Sequence, residues 1–227
     1  MHLIIDLKKK ISMNRIGLFG GTFDPIHNGH LHIARAFAAE LALDEVIVIP
    51  AGQPYHKTQR TYATADQRLD MVQLAIQSDT LFSASDYDLV HSGNTYTINT
   101  VSAFNKVFKK AQLWWLLGMD SFAQIHTWHR FHTLLNQVNI AVASRGNQET
   151  HQINSLVSAW QTTALHKMQN HPEGNNGGRF YALNAPFLPI SSTDIRHQCQ
   201  SGNIAAVQNK LPDAVVNYII RHGLYLN

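Results

Sequence analysis

Between a short apolar run and a helical pattern, the chain carries Gly20-Gly21-Thr22-Phe23-Asp24-Pro25-Ile26-His27-Asn28-Gly29-His30. Adjacent glycines let a backbone turn sharply and approach a ligand closely. The next helix is expected to start near His30, and the free N–H groups of a helix start favour an anion. His27 and His30 are three positions apart around Gly29, so at a helix mouth both imidazoles can face one phosphate and donate to it. The segment lacks the Gly-Lys-Ser/Thr ending of a Walker loop, and its adjacent glycines do not match the dinucleotide fingerprint. The competing readings are a turn with two surface histidines and a zinc site, for which no third ligand stands out nearby.

A second segment of this kind lies far along the chain, at Ile190-Ser191-Ser192-Thr193-Asp194-Ile195-Arg196. Ser191, Ser192 and Thr193 are good helix caps, and Arg196, one turn in, can reach a phosphate held at that helix start. Taken alone the segment reads as an ordinary capped helix with a surface arginine. Two anion-binding helix starts in one chain point to a shared triphosphate.

The surrounding pattern alternates strand and helix. Short apolar, β-branched runs predict strands at 16–19, 46–50, 81–85, 111–117, 138–143 and 179–183. Helical spacing covers 30–43, 64–78, 97–108, 122–135, 193–201 and 211–222. The polar stretch 148–169 is ambiguous and partly helical, and the glycine-rich 171–179, with Pro172, reads as a loop. Strands separated by helices of this length imply right-handed βαβ units and a parallel sheet. Ligands of such sheets bind beyond the carboxyl ends of the strands, so the segments after Phe19, Pro50 and Leu117 should meet at one crevice.

Composition sets the outer bounds. The 227 residues, 44% hydrophobic and 15% charged, can bury a real core, which excludes wholesale disorder. A net charge of +3 is too small and too evenly spread for a nucleic-acid surface. Cys199 is the only cysteine, which excludes an intrachain disulfide or a cysteine-rich zinc site and agrees with a reducing cytoplasm. The longest apolar run, 113–117, is too short to span a bilayer. Leu3-Ile4-Ile5 precedes Lys8-Lys9-Lys10, the reverse of a secretory signal. There is no internal repeat; residues 1–12 read as an N-terminal extension without expected structure, and 13–227 as a single domain.

The two anion-binding segments resemble the paired signatures of the nucleotidyltransferase superfamily, His-x-Gly-His and Ile-Ser-Ser-Thr-x-Ile-Arg. Further segments resemble bacterial nicotinate-nucleotide adenylyltransferases. These are Ser92-Gly93-Asn94-Thr95-Tyr96-Thr97-Ile98-Asn99-Thr100, and Gly118-Met119-Asp120-Ser121-Phe122 followed by Trp128 and Arg130. Pro50 through His56-Lys57 is similar to that family's Pro-His-Lys loop, with Tyr55 where the pattern has proline. Leu211-Pro212, Val215, Tyr218-Ile219 and Gly223-Leu224-Tyr225 fit its end. The likeness runs from about 13 to 226, and His129 stands where the family often has tyrosine.

The resemblance implies a Rossmann-like three-layer α/β sandwich with a mostly parallel central sheet and a small C-terminal helical part. It implies adenylyl transfer from ATP to nicotinate mononucleotide, giving nicotinate adenine dinucleotide and pyrophosphate, a step of NAD biosynthesis. His27, His30 and Arg196 would be catalytic. Gly20, Gly21, Thr22, Phe23, Lys57, Gly118, Asp120, Ile190, Ser191, Ser192 and Thr193 would hold ATP. Thr95, Tyr96, Thr97 and Trp128 would hold the mononucleotide, and no acidic residue in 95–97 would reward a carboxamide in place of the carboxylate. Mg²⁺ would accompany ATP with few or no protein ligands, and no metal would be bound by the protein itself. The partners would be these small molecules, in the cytoplasm, without nucleic acid or membrane; a homo-oligomer is compatible with the sequence. Three alternatives stay open: a sibling such as phosphopantetheine adenylyltransferase, nicotinamide mononucleotide as main substrate, and a catalytically inactive nucleotide-binding module.

Overall fold

A computed structural model of the protein describes residues 14–52, 61–91, 95–144, 153–170 and 177–226. The strands are β1 (Arg15–Gly21), β2 (Glu45–Pro50), β3 (Phe82–Ala84), β4 (Gln112–Gly118), β5 (Asn139–Ala143) and β6 (Phe180–Leu183). The helices are α1 (Asn28–Leu41), α2 (Ala65–Ile76), α3 (Tyr87–Val90), α4 (Thr97–Val107), α5 (Met119–Ala123), α6 (Phe131–Gln137), α7 (Ser155–Asn170), α8 (Ser192–Gln200) and α9 (Asp213–His222). The strands form a six-stranded sheet in the order β3-β2-β1-β4-β5-β6, and every pairing is parallel. The chain winds one way from β1 to β3 and the other way from β4 to β6, so the crevice opens beside the carboxyl ends of β1 and β4.

Successive side chains of a strand point to opposite faces, and here both faces are apolar. Ile16, Leu18, Ile47, Ile49, Leu113 and Trp115 join a core with Val101 and Phe104 of α4, Leu134 of α6 and Val157 of α7. Phe19, Val46, Val48, Trp114 and Leu116 join the opposite core with residues of α1, α2, α8 and α9. The result is the three-layer α/β sandwich that the alternating pattern implies. The sheet is wholly parallel, and the C-terminal helices belong to one of its two cores. No helix among the described residues is long and apolar enough to cross a membrane.

Two readings of the sequence need correction. The helix expected over 122–135 is broken into α5, a 3₁₀ turn (Ile125–Thr127) and α6. The Thr127 hydroxyl donates to the Gln124 carbonyl at 2.7 Å and the His126 ring nitrogen Nδ1 lies 3.1 Å from the Ala123 carbonyl. The backbone bonds tighten here to the i→i−3 spacing, Gln124 to Ser121, Thr127 to Gln124 and Trp128 to Ile125, and the side-chain bonds sit on this tightened stretch. The chain then runs through extended Trp128 (φ −74°, ψ 143°) and left-handed Arg130 (φ 53°, ψ 42°), so Trp128 sits in a turn. The short α3 and a 3₁₀ turn at Ile204–Val207 carry too few residues for a periodicity to be visible.

The second correction concerns the paired glycines. Gly20 and Gly21 are strand residues, in register with Ile49 and Pro50 of β2. The turn comes later, at Phe23, with φ of 50°. A methyl group on Gly20 would lie 2.5 Å from the Trp115 ring, and one on Gly21 would lie 2.8 Å from the Phe23 ring. The glycines make room for the Trp115 and Phe23 side chains. Overpacking of this kind costs about 1–3 kcal/mol, so Gly20→Ala is expected to lower the melting temperature by roughly 2–10 °C. An unchanged thermal denaturation midpoint would show that the Trp115 ring can move aside and that packing does not require this glycine.

Candidate active site

The site begins at the amino end of α1. His27 is its N-cap, with extended backbone, and His30 is the third residue of the helix. The His30 N–H donates to Nδ1 of His27, and the His27 N–H donates to Nδ1 of His30, each at 3.2 Å. This is a capping box built from two imidazoles instead of hydroxyl and carboxylate. The rings stack with centroids 3.6 Å apart. A methyl group on Gly29 would come within 3.0 Å of His27 Nδ1, so the residue between the histidines must be small. Because each Nδ1 accepts a backbone N–H, the proton of each neutral ring sits on Nε2. The helix therefore starts two residues earlier than its apolar pattern suggests, at Asn28 rather than His30, and the cap fixes both tautomers as well as the helix.

The amino end of α8 meets the same place from the far end of the chain. Ser191 caps it, accepting from the Asp194 N–H at 3.1 Å. Ser192 Oγ donates to the Pro25 carbonyl at 2.9 Å, and Arg196 Nη1 donates to the Asp24 carbonyl at 2.6 Å. The Asp24 side chain is buried, with 5% exposure. It accepts from the N–H groups of Tyr62 and Ala63 at 2.8 and 3.2 Å and from the Tyr225 hydroxyl at 2.7 Å. Burial, with the Asp24 charge close by, pushes the Tyr225 phenol above its ordinary value. Arg68, 1% exposed, donates to the carbonyls of Thr22 and Gly52 at 2.7 and 2.9 Å. Burial draws its guanidinium downward, and the charge of Asp24 opposes that.

These elements enclose a cavity of about 500 Å³. Of the residues expected to bind ATP, Gly20, Gly21, Thr22, Phe23, Gly118, Asp120, Ile190, Ser191, Ser192 and Thr193 line it, together with His27, His30 and Arg196. Thr95, Thr97 and Trp128 line it too. Tyr96 is not on its wall; it is the N-cap of α4 and stacks on His129 with ring centroids 4.3 Å apart. Lys57 lies outside the described residues, as does 92–94. Asp120 is in the first turn of α5, whose N-cap is Gly118. Among the described residues no cluster of three or more His, Cys, Asp or Glu side chains could hold a metal.

Residues 18–198 match the cytidylyltransferase-like family. Curated relatives from several bacteria carry the name "Probable nicotinate-nucleotide adenylyltransferase". That of Neisseria meningitidis serogroup C is 47% identical over 213 residues, 94% of this chain and 99% of its own. The chain belongs to the nicotinate-nucleotide adenylyltransferase family. The relative from Chromobacterium violaceum is 38% identical over 93% of this chain and 98% of its own. Among solved structures, the Plasmodium falciparum nicotinic acid mononucleotide adenylyltransferase complexed with NaAD shares the fold. It matches with a TM-score of 0.71 at 20% identity, over 93% of this chain and 97% of that one.

Sequence reasoning missed several residues of this family member's site. Arg68 shares the inward face of its helix with Val72 and Ile76, and a lone arginine in that i, i+4, i+8 row was the available signal. Asp88 comes from α3 onto the wall shared by Thr95 and Thr97, so an acidic group does face the pocket near them. It is 8% exposed and accepts from Thr100 Oγ1 at 2.7 Å. Burial raises its carboxyl to about 6, against the lowering effects of the Thr100 hydroxyl and the His91 charge.

A carboxyl raised on folding makes the unfolded chain the better acid, so stability falls as pH rises from the unfolded value near 4 to about 6 and is level above it. Asp88→Asn keeps an oxygen for Thr100 and removes the titration. Its melting temperature relative to wild type is therefore expected to rise between about pH 4 and pH 6 and stay level beyond. A difference that does not change with pH would show that Asp88 titrates normally.

Proposed function

We propose that the chain transfers the adenylyl group of ATP to nicotinate mononucleotide, releasing pyrophosphate and forming nicotinate adenine dinucleotide for NAD synthesis in the cytoplasm. The observation that carries the reading is that two helix amino ends, with His27, His30 and Arg196, meet in the cavity that also holds the start of α4 and Trp128. Three sources of hydrogen-bond donors at one end suit a triphosphate. An aromatic side chain, Trp128, and another helix start, that of α4, in the same cavity suit a pyridine ring bearing a carboxylate.

The mononucleotide phosphate is the nucleophile and attacks the α-phosphorus in line; the bond to the β-phosphate bridging oxygen breaks and pyrophosphate leaves. The nucleophile is already anionic, so the protein supplies no general base and forms no covalent intermediate. Its work is positioning and stabilisation of charge on the transferring group. The Nε2–H groups of His27 and His30 donate to phosphate oxygens, His30 to the α-phosphate. Arg196 and Lys57 hold the β- and γ-phosphates, with the first-turn N–H groups of Ser192 and Thr193 beside them. Thr22 and Phe23 close over the phosphates and Asp120 accepts from the ribose hydroxyls. Among the described residues the carboxylates on the cavity wall are Asp88 and Asp120. That donor set fits a Mg²⁺ ion that arrives on ATP, coordinated by phosphate and water, better than one caged by protein. Such an ion would neutralise triphosphate charge.

Pyrophosphate release with ATP, assayed against a panel of pyridine mononucleotides and phosphopantetheine, tests the assignment; release with phosphopantetheine and not with nicotinate mononucleotide would reject it. His30→Ala is expected to lower kcat by ~10²–10³, since one transition-state donor contributes about 2.7–4 kcal/mol. A folded variant with near-normal kcat would remove His30 from the mechanism.

Selectivity for the acid form follows from α4. Its N-cap, Tyr96, makes no side-chain capping bond, so the first-turn N–H groups and the helix dipole favour a carboxylate there. A carboxamide presents one acceptor and turns its NH₂ toward the same donors. The difference is roughly 2–4 kcal/mol, a ~30-fold to several-hundred-fold advantage in kcat/KM for nicotinate over nicotinamide mononucleotide. Values within threefold of each other would reject this account and point to Asp88 as an acceptor for the amide.

A further inference from the structure

Tyr62 is a large aromatic residue with 58% of its surface exposed, so the core does not explain it. Its backbone does have a fixed place, because its N–H donates to the buried Asp24 carboxylate at 2.8 Å. Its ring meets Tyr225 edge-on, with centroids 6.4 Å apart. Over its face lies the Arg196 guanidinium, 4.7 Å from the ring centroid. The same guanidinium donates through Nη1 to the Asp24 carbonyl at 2.6 Å and through Nη2 to Thr193 Oγ1 at 3.3 Å. The ring therefore supplies a flat support on one side of a cation whose rim is held by two oxygens.

We propose that Tyr62 is a positioning residue for Arg196, stacking beneath the guanidinium so that its remaining N–H groups are aimed into the cavity before ATP arrives. A guanidinium stacks well on an aromatic face. An arginine side chain left in water loses rotamer freedom when it grips a phosphate, and holding it in the binding geometry beforehand removes that loss. The carbonyl of Asp24 and the hydroxyl of Thr193 fix the position of the group along the rim, while the ring fixes its tilt. Both supports act through Asp24: its carbonyl takes Nη1, and its carboxylate sets the place of the Tyr62 backbone.

The inference rests on the reading that Arg196 binds ATP phosphates, and the test separates the two. ATP binding is measured by calorimetry, and steady-state kinetics are run with both substrates. The proteins compared are wild type, Arg196→Ala, Tyr62→Ala, Tyr62→Leu and Tyr62→Phe, with Tyr62→Ala also in the Arg196→Ala background. Tyr62→Ala and Tyr62→Leu are expected to weaken ATP binding and lower kcat/KM for ATP by about three- to tenfold, with KM for the mononucleotide unchanged. Tyr62→Phe keeps the π face and should stay within about twofold of wild type. Adding Tyr62→Ala to Arg196→Ala should cause no further loss. Wild-type behaviour of Tyr62→Leu, failure of phenylalanine to restore binding, or a full Tyr62 effect in the absence of Arg196 would each overturn the proposal. Unchanged ATP affinity in Arg196→Ala would instead overturn the phosphate-binding reading.

Discussion

Burying a carboxylate without partners costs several kcal/mol, and Asp24 is buried in the turn that follows β1. Its side-chain oxygens are satisfied by two backbone N–H groups from 62–63 and by a phenol from the C-terminal segment. Hydrogen bonds to a charged group contribute about 1.5–3 kcal/mol each, so the set offsets the burial only when all of it is present. Three stretches of chain must therefore arrive together: the turn after β1, the lead-in to α2 and the segment after α9. Arg68 adds a compensating charge from within α2 and ties the Thr22 and Gly52 carbonyls to each other. The shape of the crevice rim is thereby a condition of keeping one charge soluble inside the fold.

The cavity draws its electrostatic character from chain direction more than from net charge. In a wholly parallel sheet each strand hands over to its helix at the same edge, so the amino ends of helices gather there. Residues at the starts of α1, α4, α5 and α8 all line the cavity. Oriented N–H groups supply a positive field that a formal charge of +3 would not suggest. The reciprocal bonds between His27 and His30 add to it by turning both Nε2–H groups outward as donors. One pair of side chains thus caps the start of a helix and sets two tautomers.

Much of this was legible in the residue pattern because it depends on short-range rules. Each of the six strands, the parallel connections and the position of α2 within 64–78 follow from residue period. The meeting of the 20–30 and 190–196 segments at one cavity was also readable, since both carry helix-start residues and parallel topology sends such starts to one edge. What escaped depends on neighbours distant in sequence. The space around Gly20 is taken by Trp115, a residue of another strand. The helix through 122–135 is interrupted by a 3₁₀ turn, extended Trp128 and left-handed Arg130, which a hydrophobic period cannot register. Asp88 reaches the cavity from a helix of four residues, and Tyr96 turns from the cavity wall to stack on His129.

The bonds that join the two halves of the cavity span very long stretches of chain. Ser192 to Pro25 crosses 167 positions, Arg196 to Asp24 crosses 172, and Tyr225 to Asp24 crosses 201. Contacts so remote in sequence must pay their loop-closure entropy before any of them contributes, and they slow folding. The neighbouring pairs β1–β2 and β2–β3 need only local crossovers, so the sheet has a head start over the cavity. A refolding chain would regain secondary structure and much of its apolar burial while its nucleotide pocket was still open on one side. Competence to bind would lag behind compactness, and the last event of folding would also be the one that completes the site.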